Sequence, residues 1–264
     1  MFLQSVMAVG ASAGVAAVVA GLGRRRWWGA AAVGLAYVAG HAAVARPAVP
    51  PVEVTDRLPW VALAAAALAV YEAARPSAAV GRGVGRCLLG ALTLGLMLGP
   101  VHNPGVVWFG ATVAVALASW VNLGALAAGP QGSDVFRGLL ITAGGAGVVL
   151  LLSGSAVLGI LGLALTAALA GGWLGARGVP PEGSLPTAAV VLGALVLEGY
   201  VYASLPASGA LLLAAAPAGT WVGRLGPARR LGPWASATLG AACVLVPVGI
   251  AVGLAVAASL DDPY

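Results

Sequence analysis

The chain has 264 residues, of which 61% are hydrophobic and 8% are charged, and its formal net charge at pH 7 is +5. About a quarter of the residues in a soluble domain are charged, so this composition excludes an ordinary soluble fold and predicts an all-α integral membrane protein. The positive charge does not indicate nucleic-acid binding, because the basic residues lie between apolar runs instead of gathering on one face beside aromatic residues.

Apolar runs of membrane-spanning length follow one another along the whole chain. Crossing a hydrocarbon layer ~30 Å thick takes about 20 residues of α-helix. We predict about ten spans, joined by short connections that often contain Pro or Gly and leave no room for a soluble domain. In chain order the predicted spans are 2–23, 27–46, 59–75, 86–100, 106–128, 136–153, 155–176, 187–205, 207–224 and 234–259.

The arginines predict the orientation of these spans. Short cytoplasmic loops retain positive charge, and with the N-terminus outside, eleven of the thirteen arginines fall on the cytoplasmic side. Only Arg46 and Arg57 then fall outside. We therefore predict a multi-pass protein with both termini non-cytoplasmic. Because every basic residue is Arg and none is Lys, a bias typical of a GC-rich genome, we expect a bacterial inner membrane.

The two halves of the chain, 1–130 and 131–264, carry the marks of a duplication. Leu58-Pro59 matches Leu185-Pro186, and Leu98-Gly99-Pro100 matches Leu225-Gly226-Pro227, both at a displacement of 127 residues. Chains rich in Ala, Gly, Leu and Val align easily, so an artefact of composition is the alternative. An odd number of spans in each copy would place the two five-helix repeats in opposite orientations, as inverted repeats.

Inverted repeats favour a transporter, because two similar halves can exchange conformations and expose a central site to either side of the membrane. The five-plus-five arrangement is similar, in span count and approximate length, to the drug/metabolite transporter superfamily. That likeness implies a small secondary transporter and assigns no residue, since it extends to no motif. Polar residues are scarce in the spans, so we expect a small or hydrophobic solute.

The same scarcity of polar residues supports an alternative function, a non-catalytic integral membrane subunit or scaffold of a larger complex. The expected partners are membrane lipids, a small-molecule substrate, and membrane-protein partners or a second copy of the chain, with no nucleic acid. An enzyme is not expected, because the sequence lacks the nucleophile, paired-acid and metal-ligand patterns of membrane enzymes. Cys87 and Cys243 are isolated, and we expect no metal and no cofactor.

Ionisable residues inside spans are functional candidates, because burying them in lipid is costly. Glu198 has no basic residue nearby in sequence and is a candidate proton or cation site. Its alternatives are a hydrogen bond to neighbouring helices or a position at the outer interface beside Tyr200 and Tyr202. Glu72, its mate in the repeat and also a candidate for the transport pathway, lies within a turn of Arg75, which favours an interfacial residue that pairs with Arg75 or snorkels at the cytoplasmic end.

His41 lies one helical turn after Tyr37, near the outer end of the second span. A single His in an apolar helix is more often a packing residue than a proton relay, and both interpretations remain open.

Helix interruptions point to a solute pathway, because broken helices expose backbone carbonyls near the midplane. We predict that spans four, five, nine and ten line it. Alternatively, these residues only allow close packing, as expected for Gly171-x-x-x-Gly175 and Gly249-x-x-x-Gly253. The candidate lining residues are Gly90, Gly95, Trp120, Asn122, Pro217, Gly219 and Pro247.

Overall fold

A computed structural model describes residues 2–22, 26–45, 47–75, 79–98, 132–177, 183–225, 228, 230 and 232–261. All regular elements in these ranges are helical and none is a strand, which confirms the all-α prediction. Short 3₁₀ helices cover Thr55–Arg57 and Ala216–Arg224. The α-helices are α1 (Phe2–Leu22), α2 (Arg26–Val44), α3 (Leu58–Ala74), α4 (Ala79–Leu98), α5 (Gly132–Leu152), α6 (Ala156–Gly175), α7 (Ser184–Tyr202), α8 (Ala207–Ala215) and α9 (Pro233–Asp261).

Six segments in the described part of the chain are long and apolar enough to cross a membrane. They support a multi-pass membrane protein, whereas ten spans, the orientation and the inverted repeat stay predictions. The predicted fifth span, 106–128, lies outside the described residues. The six segments are Leu3–Leu22, Thr55–Ala74, Ser133–Leu152, Ala156–Gly175, Ser184–Tyr202 and Trp234–Leu260, and shorter apolar helices cover Ala31–Val44, Val84–Met97 and Ala207–Gly223.

Two predicted spans differ from the structure in a way that hydropathy could not show. Helix α4 begins at Ala79, seven residues before the predicted span, and its first turns are Gly-rich. Gly85 there packs close to Leu68 of α3. The predicted ninth span has the expected bounds but changes from α8 to the 3₁₀ helix at Ala216, next to Pro217, which has no N–H for an α-helical hydrogen bond.

Helices α1 and α6 run parallel and touch backbone to backbone. A Cβ added to Gly171 would lie 2.8 Å from the Ala13 Cα, and one added to Gly175 would lie 2.8 Å from the Ala17 Cα. The same four-residue step on both helices shows that they run in one direction. Gly171 and Gly175 therefore have the packing role expected of small residues in membrane helices.

The C-terminal ends of α2, α4, α5 and α7 meet at one end of the bundle, which we call the Glu198 end. The Tyr202 hydroxyl of α7 donates to the Met97 carbonyl of α4 over 2.9 Å, and Gly199 of α7 lies against Leu150 of α5. The opposite end, where α3 ends and α4 begins, is the Glu72 end. Helix α4 ends at the Glu198 end, and α5, the next described helix, begins at the Glu72 end. This arrangement is compatible with the predicted fifth span between them.

Candidate functional site

Glu198 lies near the C-terminal end of α7, and its side chain is 1% exposed. Neither carboxyl oxygen has a hydrogen-bond partner among the described residues. Helix α7 packs against α2, α3, α4, α5, α6 and α8, which explains why a side chain in it can be so fully enclosed. An unpartnered polar group in such surroundings loses its hydration without compensation, and a charged one loses far more.

Three polar side chains surround Glu198. Tyr37 of α2 is fully buried and within electrostatic range of the carboxyl group, and its hydroxyl has no hydrogen-bond partner in the described part of the chain. Arg57, which immediately precedes α3, is also within electrostatic range. Tyr202 follows Glu198 by four residues and so lies one turn further along the same face of α7.

Arg57 and Tyr202 both donate hydrogen bonds to the last turn of α4. The Arg57 Nη1 donates to the Leu96 carbonyl, and the Tyr202 hydroxyl donates to the Met97 carbonyl over 2.9 Å. The last four carbonyls of a helix have no donor within the helix. Since α4 ends at Leu98, these two hydrogen bonds, which we call the α4 cap, satisfy two of the four.

Arg57 was not among the predicted site residues. It entered the orientation argument only as one of two arginines on the non-cytoplasmic side. That exception was itself a usable signal, because an arginine that contradicts the charge bias and opens a span needs another reason to be there. In the structure its neighbours are Glu198 and the end of α4.

His41 holds the turn that carries Arg57. Its Nε2 donates to the Thr55 carbonyl over 3.0 Å, and its ring lies 6.5 Å from that of Tyr37 between centroids. Asp56 in the same turn accepts hydrogen bonds from the backbone N–H groups of Val52 and Glu53. These contacts fix the backbone that precedes α3, and they give His41 a positioning role in the geometry of the site.

Glu72 lies at the opposite end and is fully paired. Its carboxylate receives two hydrogen bonds from Arg86 of α4, Nε to Oε1 and Nη2 to Oε2, both at 2.8 Å. The prediction that Glu72 pairs with Arg75 was wrong: the Arg75 guanidinium lies 5.8 Å from the ring centroid of Tyr71. The early start of α4 brings Arg86 to Glu72. The ion pair therefore connects α3 with α4, whereas the predicted pair would have lain within one turn of α3.

This ion pair gives a testable difference in stability. A bidentate pair removed from water couples its two partners by about 0.5–3 kcal/mol. We expect Glu72→Gln and Arg86→Met each to lower the unfolding midpoint of the purified chain in detergent, and the double variant to lower it by less than their sum. Arg75→Met is the control and should have a smaller effect. Strictly additive losses would show that the pair contributes nothing.

The interruptions in the last two predicted spans meet at one helix crossing. Pro247 has no N–H, so the Cys243 carbonyl of α9 lacks its usual donor within the helix. Gly219 of the 3₁₀ helix packs on this carbonyl: a Cβ there would lie 2.6 Å from the Cys243 oxygen. The hydroxyl of Thr220 donates to the Pro217 carbonyl over 2.7 Å. The crossing is thus closely packed, and the Cys243 carbonyl that lacks its helical donor faces the 3₁₀ helix.

The residues predicted to line a solute pathway lie in separate regions of the described structure. Helix α4, with Gly90 buried and Gly95 exposed, packs against α3 and α7. Helix α9 packs against α5, α8 and the 3₁₀ helix that follows α8. Trp120 and Asn122 lie outside the described ranges. A pathway between spans four, five, nine and ten therefore stays a prediction, while Glu198 and His41 lie around Arg57.

Within the ranges that the structure describes, no three His, Cys, Asp or Glu side chains are placed to hold a metal ion. Cys87 and Cys243 are free thiols. Comparison of the chain with protein-family models, with curated proteins and with solved structures finds no match.

Proposed function

We propose that this chain is a small secondary transporter in which Glu198 takes up and releases a coupling proton. The observation that carries the proposal is a carboxyl group, 1% exposed, in an apolar helix, with neither oxygen hydrogen-bonded to a described residue. Ionisable groups inside membrane spans are costly and mark proton relays and ion pathways. Because the charged and neutral forms of such a group favour different surroundings, gain or loss of a proton can drive a change of conformation.

The contrast with Glu72 supports this assignment. Glu72 lies in a comparable apolar helix and is neutralised by a bidentate Arg86, which is how a structural carboxylate is accommodated in this chain. Among the described residues, the one cation within electrostatic range of Glu198 is Arg57, whose guanidinium donates to a backbone carbonyl instead. A purely structural role would leave the cost of burying Glu198 unexplained.

Three buried threonine hydroxyls that bond within their own helical segments support a small or hydrophobic solute, whereas the buried hydroxyls of Ser12 and Thr187 have no partner among the described residues. The hydroxyls of Thr93, Thr142 and Thr220 donate to carbonyls within their own helical segments, at 2.7–2.8 Å. Hydroxyls satisfied in this way leave little hydrogen-bonding capacity for a strongly polar solute.

The inverted repeat, 1–130 with 131–264, is part of the proposal. Under it α2 corresponds to α6 and α3 to α7, and both pairs are in contact, as expected for helices beside a two-fold axis. The extensive contact of α1 with α6 has no counterpart of similar extent between α5 and α2 in the described residues. The repeat therefore requires two halves of like topology that are packed differently.

Charge movement in liposomes tests the proposed function. With the full chain reconstituted on a solid-supported membrane, a step in external pH should produce a transient current as the site gains or loses a proton. Glu198→Gln should reduce the transient to that of protein-free liposomes. The matched control is Glu53→Gln, the same change at an exposed carboxylate, which should keep the wild-type transient. A normal transient from Glu198→Gln would reject Glu198 as the proton site.

The second candidate function, a membrane scaffold, rests on the outward face of α9. A Cβ on Gly249 or Gly253 would meet no described atom within 4 Å, and Leu245, Val246 and Ile250 are exposed beside them. Small residues four apart on an open helix face suit close association with another membrane helix. A scaffold predicts that the chain recruits a specific membrane protein and produces no pH-driven transient, whereas a transporter exposes this face to lipid.

A further inference from the structure

The cap on α4 is made by side chains from two other elements. Arg57 donates to the Leu96 carbonyl and Tyr202 to the Met97 carbonyl, so the end of α4 is tied to the start of α3 and the end of α7. At the other end of α4, the Arg86–Glu72 pair ties it to α3. In the described part of the chain, the main contacts of α4 are with α3 and α7. The cap therefore decides how firmly this end of α4 is held.

Arg57 lies between two acceptors. The carbonyl it binds neighbours the one that Tyr202 binds, and Glu198 lies one turn below Tyr202 on the same face of α7. The Glu198 carboxyl accepts no hydrogen bond from Arg57 in this arrangement, although the two groups are in electrostatic range. A guanidinium placed in this way can serve the α4 carbonyl or the α7 carboxyl.

We propose that Arg57 is a proton-controlled latch: it holds the end of α4 while Glu198 is neutral and turns to Glu198 when the carboxyl loses its proton. The inference rests on the proposed proton site and adds what the proton does there. The O–H bond of the carboxyl group breaks, the proton passes to water at the Glu198 end, and no other covalent bond changes. The Leu96 carbonyl is then released, and α4 is free to move at that end.

The charge on Glu198 decides which of its two acceptors the Arg57 guanidinium prefers. With Glu198 neutral, the guanidinium gains from a backbone carbonyl at a helix C-terminus, where the helix dipole favours a positive charge. With Glu198 charged, a buried carboxylate without a partner is strongly unfavourable. A guanidinium–carboxylate pair joins two full opposite charges and often forms two parallel hydrogen bonds, whereas the Leu96 carbonyl is a neutral acceptor with a single bond from Arg57. The ionised carboxylate therefore outcompetes the carbonyl for Arg57.

Few other charged or titratable groups face this latch. Helix α2 contributes Tyr37 and His41, the turn before α3 contributes Glu53 and Asp56, and α7 contributes Tyr202. The described parts of α4, α5, α6 and α8 contribute none at this end. Tyrosine titrates near pH 10 in water, so neither phenol is the switch around neutral pH. His41 and the carboxylates of the turn before α3 are the remaining competitors, and a Glu198 variant separates them from Glu198.

Two nitroxide labels on the full chain test the latch. In a Cys87→Ser, Cys243→Ser background, labels at Gly95→Cys on α4 and Tyr200→Cys on α7 occupy exposed positions near the cap. Dipolar broadening of the continuous-wave EPR spectrum in liposomes reports their separation. We expect broadening at acid pH that is lost as the pH rises. Glu198→Gln should keep the broadening at every pH, and Arg57→Ala should lack it throughout.

Tyr202→Phe is the matched control, because it removes one hydrogen bond of the cap and leaves the switch in place. It should keep the pH dependence with weaker broadening at acid pH. A wild-type spectrum unchanged by pH, or broadening that grows on raising the pH, overturns the latch. So does a Glu198→Gln spectrum that still follows pH. A normal current transient with a constant spectrum rejects the latch alone, whereas loss of the transient from wild type rejects the proposed function.

Discussion

Gly171→Leu should prevent α1 from packing on α6 and lower the free energy of unfolding by about 3 kcal/mol or more. A Cβ at this position already lies 2.8 Å from the Ala13 Cα and 2.9 Å from its carbonyl carbon. These are backbone atoms, which cannot rotate away as a flexible side chain can. Every further carbon of a leucine side chain must then push the two helices apart. Thermal unfolding of the purified chain in detergent measures the loss.

Gly193→Leu is the control for Gly171→Leu. Gly193 lies on α7 and is exposed, and a Cβ there meets nothing within 4 Å in the part of the chain that the structure describes. The same change in volume and hydrophobicity should leave the melting temperature near that of wild type. Equal losses from the two variants would contradict the close approach of α1 and α6.

Arg57→Ala should destabilise the chain by about 3–5 kcal/mol at a pH where Glu198 is charged, because it strips a buried carboxylate of its only nearby cation among the described residues. In the Glu198→Gln variant, where Arg57 instead donates to the Leu96 carbonyl, Arg57→Ala should cost only the loss of that donor, about 1–3 kcal/mol. The cost of Arg57→Ala should therefore be smaller in the Glu198→Gln variant than in the wild-type chain. Unfolding in detergent, with Arg57→Ala introduced into the wild-type chain and into the Glu198→Gln variant, measures this difference.

Arg75→Ala is the control for the loss of a positive charge. Arg75 is exposed and contacts only the Tyr71 ring among the contacts described for it, so its removal should cost little. If Arg57→Ala cost the same in the wild-type chain as in the Glu198→Gln variant, the two side chains would be independent, and the account of the site would be wrong.

The helical spans could be predicted because side chains that face lipid must be apolar, and this requirement is visible in the sequence. Predicted bounds such as 2–23 and 155–176 agree with α1 and α6 to within a residue or two. Glu198 could be found for the same reason: an acidic residue without a basic neighbour stands out in an apolar run. Such features depend on one residue and its solvent and need no knowledge of packing.

Contacts between helices could not be predicted, because hydropathy does not fix the rotation of a helix. Glu72 pairs with Arg86, fourteen positions away, instead of the nearer Arg75. Gly219 packs directly on the carbonyl that Pro247 leaves without its usual donor, although the two residues belong to different spans. Arg57 was counted as a marker of orientation, yet its structural partners are the end of α4 and Glu198.

Infrared difference spectroscopy of the reconstituted protein tests the central claim, that Glu198 exchanges a proton inside the membrane, most directly. A protonated carboxyl has a C=O stretching band that its carboxylate lacks, so a pH step should make one such band appear or disappear in wild type. The band should be missing from Glu198→Gln and kept in Glu53→Gln. A difference spectrum that is the same in wild type and Glu198→Gln would contradict the account.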